Sequence, residues 1–194
     1  MIWDLNTHKT GFGVNKEGAA ETYSPKLKDI RGMPKNNKLT QGWGLAYAQL
    51  DSGEHRLYAT DGTSNIHVID PVSWNTLSTI KVTHGGEPIN SLNELEIIKT
   101  SSLSKNYIFA NQFIQNTIWM IDLRTGVAVA RWNMKELKDI QNKHIRKVKD
   151  NTFDHNNAVL NGIAYYESHD SFLITGKLWD FIYEIKLDYH NYMK

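Results

Sequence analysis

Three segments bearing a tryptophan or an asparagine recur along the chain: Gly42-Trp43-Gly44-Leu45-Ala46, Leu92-Asn93-Glu94-Leu95-Glu96 and Leu160-Asn161-Gly162-Ile163-Ala164. Each is followed by a strand-like run with a polar tip, Ala59-Thr60-Asp61-Gly62, Phe109-Ala110-Asn111-Gln112 and Ile174-Thr175-Gly176-Lys177. Trp43, Asn93 and Asn161 therefore hold one repeat position, and Asp61, Asn111 and Lys177 hold another. A supersecondary unit stacked on itself gathers such residues along one axis. There an indole, a carboxylate, amides and an ammonium would cluster near a central channel. The same polar side chains can instead tie strand ends through backbone hydrogen bonds, the role expected for Asp61 and Asn161.

The elements that would position these residues are short strands. The first unit spans about 40–82, with strands at Trp43–Tyr47, Arg56–Thr60, Ile66–Ile69 and Thr76–Val82. Asp51-Ser52-Gly53, Asp61-Gly62 and Asp70-Pro71 separate them, using glycine for positive φ, aspartate for self-capping and proline for preset φ. A second unit, about 92–132, repeats the order at Leu92–Ile98, Tyr107–Ala110, Ile118–Ile121 and Val127–Trp132. A third, about 160–187, holds Leu160–Tyr165, Phe172–Thr175 and Phe181–Leu187 without a fourth strand. Four short strands at a period of about 50 residues fit a propeller blade of the kelch size class. Between the second and third units, about 133–157 reads as a helical and basic insertion. Asn133 and Glu136 form a capping-box variant, Met134, Leu137 and Ile140 recur at helical spacing, and Lys143 through Asn157 reads as a solvated loop. Residues 1–39 hold a strand-like start and then a Lys/Asn/Gly-rich segment expected to be unstructured or a long loop. The fold class is all-β, a β-propeller with about three blades present and one inserted helix. Because an open stack of three leaves strand edges in water, the chain is expected to be part of a longer protein.

Composition narrows the function. With 22 basic against 21 acidic residues, no broad nucleic-acid or membrane footprint is expected. No apolar run approaches the roughly 18 residues of a membrane helix, and the first residues carry no basic and apolar leader pattern. Absence of cysteine removes disulfides and thiolate chemistry. The eight histidines show no HxH or HxxxH pairing, there is no GxSxG elbow, and Gly176-Lys177 lacks the upstream glycine of a phosphate loop. Neither a metal nor a cofactor is expected.

Taken together, Gly42-Trp43-Gly44-Leu45, Asp61-Gly62-Thr63, Ile69-Asp70-Pro71, Leu92-Asn93-Glu94-Leu95-Glu96, Ala110-Asn111, Leu160-Asn161-Gly162-Ile163-Ala164 and Thr175-Gly176-Lys177-Leu178-Trp179 resemble the plant-type glutamine cyclotransferases. The resemblance runs from about Trp3 to Leu187. It implies a five-bladed propeller that converts the N-terminal glutamine of peptides or proteins to pyroglutamate with release of ammonia. It also implies the secretory pathway or an extracellular location. By position, Trp43 would wall the substrate side chain, Asn93 would hydrogen-bond its γ-amide or α-amine, and Lys177 would sit at the same cavity, which makes Asn93 and Lys177 the expected catalytic pair. Phe113 stands where the family usually places a second tryptophan, and Asp180 follows Trp179 where proline is common. Ile2–Thr7 resembles the strand that closes the second blade, so the chain is expected to begin about two blades late. The family's proton-carrying glutamate lies in an FGEG-like segment, and a pocket glutamine in an FTQG-like one; this sequence contains neither. Glu94 neighbours Asn93, but strand alternation is expected to turn it away from the site, leaving Asp61 as a stand-in. The chain alone is thus expected to turn over glutaminyl peptides poorly or not at all. The alternative is a non-catalytic propeller fragment that binds a peptide or protein partner through the same aromatic channel.

Overall fold

The computed structural model describes residues 12–14, 20–22, 39, 41–98, 106–150 and 152–194. The chain divides into two compact units, Met1–Lys35 and Asn36–Lys194. In the first, β1 (Phe12–Val14) and β2 (Ala20–Thr22) pair antiparallel with Gly13 opposite Glu21. A strand pair thus stands inside a segment whose composition suggested no regular structure. The strand-like start at Ile2–Thr7 lies outside the described residues.

The second unit contains three larger antiparallel sheets, each a meander in chain order. Sheet 1 comprises β3 (Gly44–Gln49), β4 (His55–Thr60), β5 (Asn65–Ile69) and β6 (Thr76–Lys81). A small hairpin of β7 (Thr83–His84) and β8 (Glu87–Pro88) follows, turning at Gly85-Gly86 with φ of 59° and 88°. Two consecutive positive φ values are what a two-residue hairpin demands, hence the glycine pair. Sheet 2 comprises β9 (Leu92–Glu96), β10 (Tyr107–Gln112), β11 (Thr117–Asp122) and β12 (Ala128–Asn133). Sheet 3 comprises β13 (Leu160–Tyr166), β14 (Ser171–Gly176) and β15 (Tyr183–Ile185). The last strand is shorter than expected from Phe181–Leu187: Ile182 is exposed, Leu187 turns into the core, and a 3₁₀ turn follows at Tyr189–Tyr192.

The sheets stack face to face, and the first strand of each forms the shared inner edge, with β9 in contact with both β3 and β13. Successive side chains on a strand point to opposite faces, and sheet 2 uses both. Ile108, Ala110, Trp119 and Ile121 join Ala46, Ala48, Tyr58, Ile66 and Val68 of sheet 1 in one core. Tyr107, Phe109, Ile118 and Met120 join Leu160, Ile163, Phe172 and Ile174 of sheet 3 in another. That is why β10 and β11 read as unbroken apolar runs. In β3, by contrast, burial alternates, with Ala46 and Ala48 turned inward and Leu45 and Tyr47 exposed.

The helix α1 spans Lys135–Val148, so the solvated loop expected from Lys143 begins later. The side chain of Asn133 accepts a hydrogen bond from the Lys135 backbone N–H at 2.9 Å. The inward face is Met134, Gln141 and Ile145, whereas Ile140 is exposed. A buried polar residue, Gln141, interrupts the apolar period; its Oε1 accepts a hydrogen bond from the Tyr183 hydroxyl at 2.8 Å. Arg146 and Lys147 in the last turn suit the negative end of the helix dipole. Asp180 ties this region to sheet 3 through Lys149 at 2.9 Å and His144 at 3.2 Å. Its carboxyl lies below the ordinary range, first because of the Lys149 hydrogen bond. No helix of the described residues is long and apolar enough to cross a membrane.

Candidate active site

The polar ends of the inner strands meet at one end of the stack. Gly42, Trp43, Asn93, Glu94, Phe113, Asn161 and Lys177 line a cavity of about 390 Å³ there. Trp43 enters just before β3, its N–H bonded to the Thr60 carbonyl at 3.0 Å. Its indole lies against Gly62, where φ is +81° and an added Cβ would come within 2.6 Å of the ring. Glycine is needed there twice over, for the turn and for the ring. The indole meets Phe113 edge to face, with centroids 5.4 Å apart and planes at 79°. Phe113 follows β10 and donates its N–H to the Ser91 carbonyl at 2.8 Å, while Ser91 donates its own to the Gly62 carbonyl at 2.9 Å. Lys177, just past β14, is anchored by its N–H to the Val159 carbonyl at 2.8 Å, and its Nζ stands 4.5 Å from the centre of the Phe113 ring. An ammonium on an aromatic face at that distance is a cation–π contact.

Asn93 is buried and gives an amide hydrogen to Asn161 Oδ1, joining sheets 2 and 3 through side chains. The backbone repeats the linkage on either side. Thr60 Oγ1 donates to the Asn93 carbonyl at 2.8 Å, and Asn111 Nδ2 donates to the Leu160 carbonyl at 3.0 Å. Second strands thereby clasp the first strand of the next sheet. Close approach is also steric: a Cβ on Gly44 would lie 2.0 Å from the Asn93 carbonyl oxygen.

Glu94 does not turn away from the site; it lines the cavity beside Asn93. In the pairing of β9 with β10, Leu92 faces Gln112 and Leu95 faces Ala110, so Asn93 and Glu94 together oppose Asn111. This is a β-bulge, and the extra residue suspends strict alternation. Asn111 Oδ1 holds the bulge by accepting the Glu94 N–H at 2.9 Å. The same irregularity recurs in sheet 3, where Asn161 and Gly162 oppose Thr175. Burial pushes the Glu94 carboxyl above its ordinary value, and the nearby Lys177 cation partly offsets this.

Asp61 does not line the cavity. Its carboxylate accepts hydrogen bonds from the Thr63 hydroxyl at 2.6 Å and the Thr63 N–H at 3.1 Å, and it pairs with His67 Nε2 at 2.9 Å. Burial pushes this carboxyl up, but the Thr63 and His67 bonds prevail and hold it below the usual range. Asp61 thus closes the turn that leads into β5 and fixes the His67 ring. Among the described residues no group of three or more His, Asp or Glu side chains is placed to hold a metal ion.

Residues 15–187 match the family described as glutamine cyclotransferase. The glutaminyl-peptide cyclotransferase of Arabidopsis thaliana is 29% identical over 163 residues, covering 82% of this chain and 45% of that protein. The crystal structure of Myxococcus xanthus glutaminyl cyclase superposes with a TM-score of 0.60 and 25% identity, over 88% of this chain and 59% of that one. The chain therefore spans about half the length of these relatives. With a matched region that takes in all three sheets and every residue lining the cavity, the chain belongs to the glutamine cyclotransferase family.

Proposed function

We propose that the cavity binds the N-terminal glutamine of a peptide or protein for cyclisation to pyroglutamate, within a propeller of which the three stacked sheets are blades. The observation that carries this reading is the convergence of Trp43, Asn93, Phe113 and Lys177, drawn from all three sheets, on one cavity. The Trp43–Phe113 corner is an apolar surface for the two methylenes of glutamine. Asn93 spends an amide hydrogen on Asn161, which leaves its Oδ1 to accept from the substrate γ-amide. The Lys177 ammonium then faces the γ-carbonyl oxygen, where negative charge develops.

The chemistry is intramolecular. The α-amine nitrogen bonds to the γ-carbonyl carbon, the carbon–nitrogen bond of the side-chain amide breaks, and the amide nitrogen leaves as ammonia with a proton from the amine. Selecting the folded-back conformer supplies much of the rate, because the reacting atoms are already in one molecule. The test is incubation of the purified chain with a glutaminyl peptide, following ammonia and the matching mass loss, together with quenching of tryptophan fluorescence. Peptide-dependent quenching that Trp43→Ala abolishes is the expected result. A chain that shows no peptide-dependent quenching and releases no ammonia above the uncatalysed rate would overturn the proposal.

A further inference from the structure

A second cavity, of about 610 Å³, shares no residue with the first. It runs between strands β4–β6 of sheet 1 and the Leu123–Thr125 turn that joins β11 to β12. Leu50, Val68, Ile80 and Leu123 give it apolar walls. Its two sides are fastened to each other: Thr83 donates its N–H to the Gly126 carbonyl at 2.9 Å, and a Cβ on Gly126 would come 2.3 Å from the Lys81 carbonyl oxygen. The groove is therefore formed before any ligand arrives, and its volume is that of a small-molecule site.

Arg56, Lys81 and Arg124 line this groove, and no carboxylate does. Arg56 is held by Glu54 at 2.9 Å and Arg124 by Asp122 at 2.6 Å. Lys81 is the lining cation left without an ion pair among the described residues. Tyr58 also lines the groove and is only 6% exposed, yet its hydroxyl has no hydrogen-bond partner among the described residues. Burial pushes its phenol above the ordinary value, so at neutral pH it keeps a proton to donate. A donor sunk in the protein and left open on a cavity calls for an acceptor that a ligand brings. We propose that the groove binds a small monocarboxylate with an apolar body. Its carboxylate accepts from the Tyr58 hydroxyl and faces the Lys81 ammonium, while its aryl or alkyl part lies along Leu50, Val68, Ile80 and Leu123. A second negative charge would find both arginines already paired. The site is independent of the cyclotransferase reading, since none of its residues belongs to the glutamine cavity.

The probe is hydrocinnamate, with hydrocinnamide as its uncharged counterpart, each titrated into the isotope-labelled full chain at neutral pH and followed by backbone amide chemical shifts. The carboxylate should give saturable shifts centred on Arg56–Tyr58, Ser78–Lys81 and Leu123–Thr125. The amide should bind about tenfold more weakly, as when a charge-assisted hydrogen bond becomes a neutral one. Tyr58→Phe keeps the ring in the core and should weaken the carboxylate about tenfold. Lys81→Met removes an exposed charge and should weaken it about two- to fivefold. Both substitutions should leave the amide within about threefold of its wild-type affinity. If Tyr58→Phe does not fold, Lys81→Met and the comparison of acid with amide decide. The proposal is overturned by the absence of saturable shifts, by shifts centred elsewhere, by equal affinity for acid and amide, or by a carboxylate affinity that the substitutions leave unchanged.

Discussion

Substituting Gly44 by alanine tests how closely the first two sheets must approach for the site to exist. The added methyl would lie 2.0 Å from the carbonyl oxygen of Asn93, 2.7 Å from its carbon and 2.9 Å from Glu94 Cα. Ordinary contact is about 3.5 Å or more, and all three obstructing atoms are backbone, so the strands themselves must part. Overpacking of this kind costs about 1–3 kcal/mol. The parting also strains the buried bond from Thr60 Oγ1 to the Asn93 carbonyl, worth about 1 kcal/mol. Gly44→Ala should therefore destabilise by about 2–4 kcal/mol, a fall in Tm of roughly 5–15 °C for a domain of this size. Gly42, two residues earlier in the same motif, supplies the control. A Cβ there meets nothing within 4 Å, so Gly42→Ala should stay within about 0.5 kcal/mol of wild type. Urea unfolding of the three proteins, read as midpoints at constant slope, makes the comparison. Equal losses at Gly42 and Gly44 would refute the argument that inter-sheet contact, rather than glycine flexibility, sets the requirement.

Other consequences follow from the same contacts. Phe109 is buried between sheets 2 and 3 against Phe172, Trp132 and Tyr189, and Phe109→Ala should cost about 3–5 kcal/mol in chemical denaturation. Gly62→Ala should push the Trp43 indole off its seat, shifting its emission and weakening glutaminyl-peptide quenching, whereas Gly53→Ala, equally positive in φ but with nothing nearby, should change stability alone. Asp170 accepts hydrogen bonds from Tyr189 and Tyr165 and pairs with His190, and its carboxyl is held at about 2, first by the Tyr189 bond. Its folded value is below its unfolded one, so its contribution is fully present above about pH 4 and lost as pH falls towards 2. With the side chain 51% exposed, solvent screening reduces that contribution to about 1 kcal/mol, and Asp170→Asn should flatten the acid limb of a stability–pH curve by that amount.

Much of the arrangement was legible in the residues because periodicity and turn chemistry agreed. Runs ending at Asp51-Ser52-Gly53, Asp61-Gly62 and Asp70-Pro71 leave few choices for where sheet 1 turns, and its strands lie within two residues of expectation. Trp43 and Asn93 share one repeat position and Lys177 holds another, so the repeat draws them towards one axis, but it was the family resemblance that singled the three out. Glu94 escaped because a bulge leaves no trace in composition: its side chain changes face when two residues oppose one. The signal that could have found it is the second bulge, at Asn161-Gly162, where a glycine stands in the middle of a strand-like run. The helix ran past its expected end because its inward face alternates types: Gln141 occupies a core position whose polarity is absorbed by Tyr183 from a distant strand. Long-range partners of this kind are invisible to local spacing.

The burial of sheet 2 on both faces has a consequence for how this molecule tolerates change. Amides of β10 and β11 should be the slowest to exchange with deuterium, reachable only when both neighbouring layers come away together. Randomised libraries should find almost no replacements there, while the outward residues of β3 and β6 accept many. Variation over time is then channelled to the rims and loops, and the middle layer, which also carries Asn93 and Glu94, drifts slowest of all.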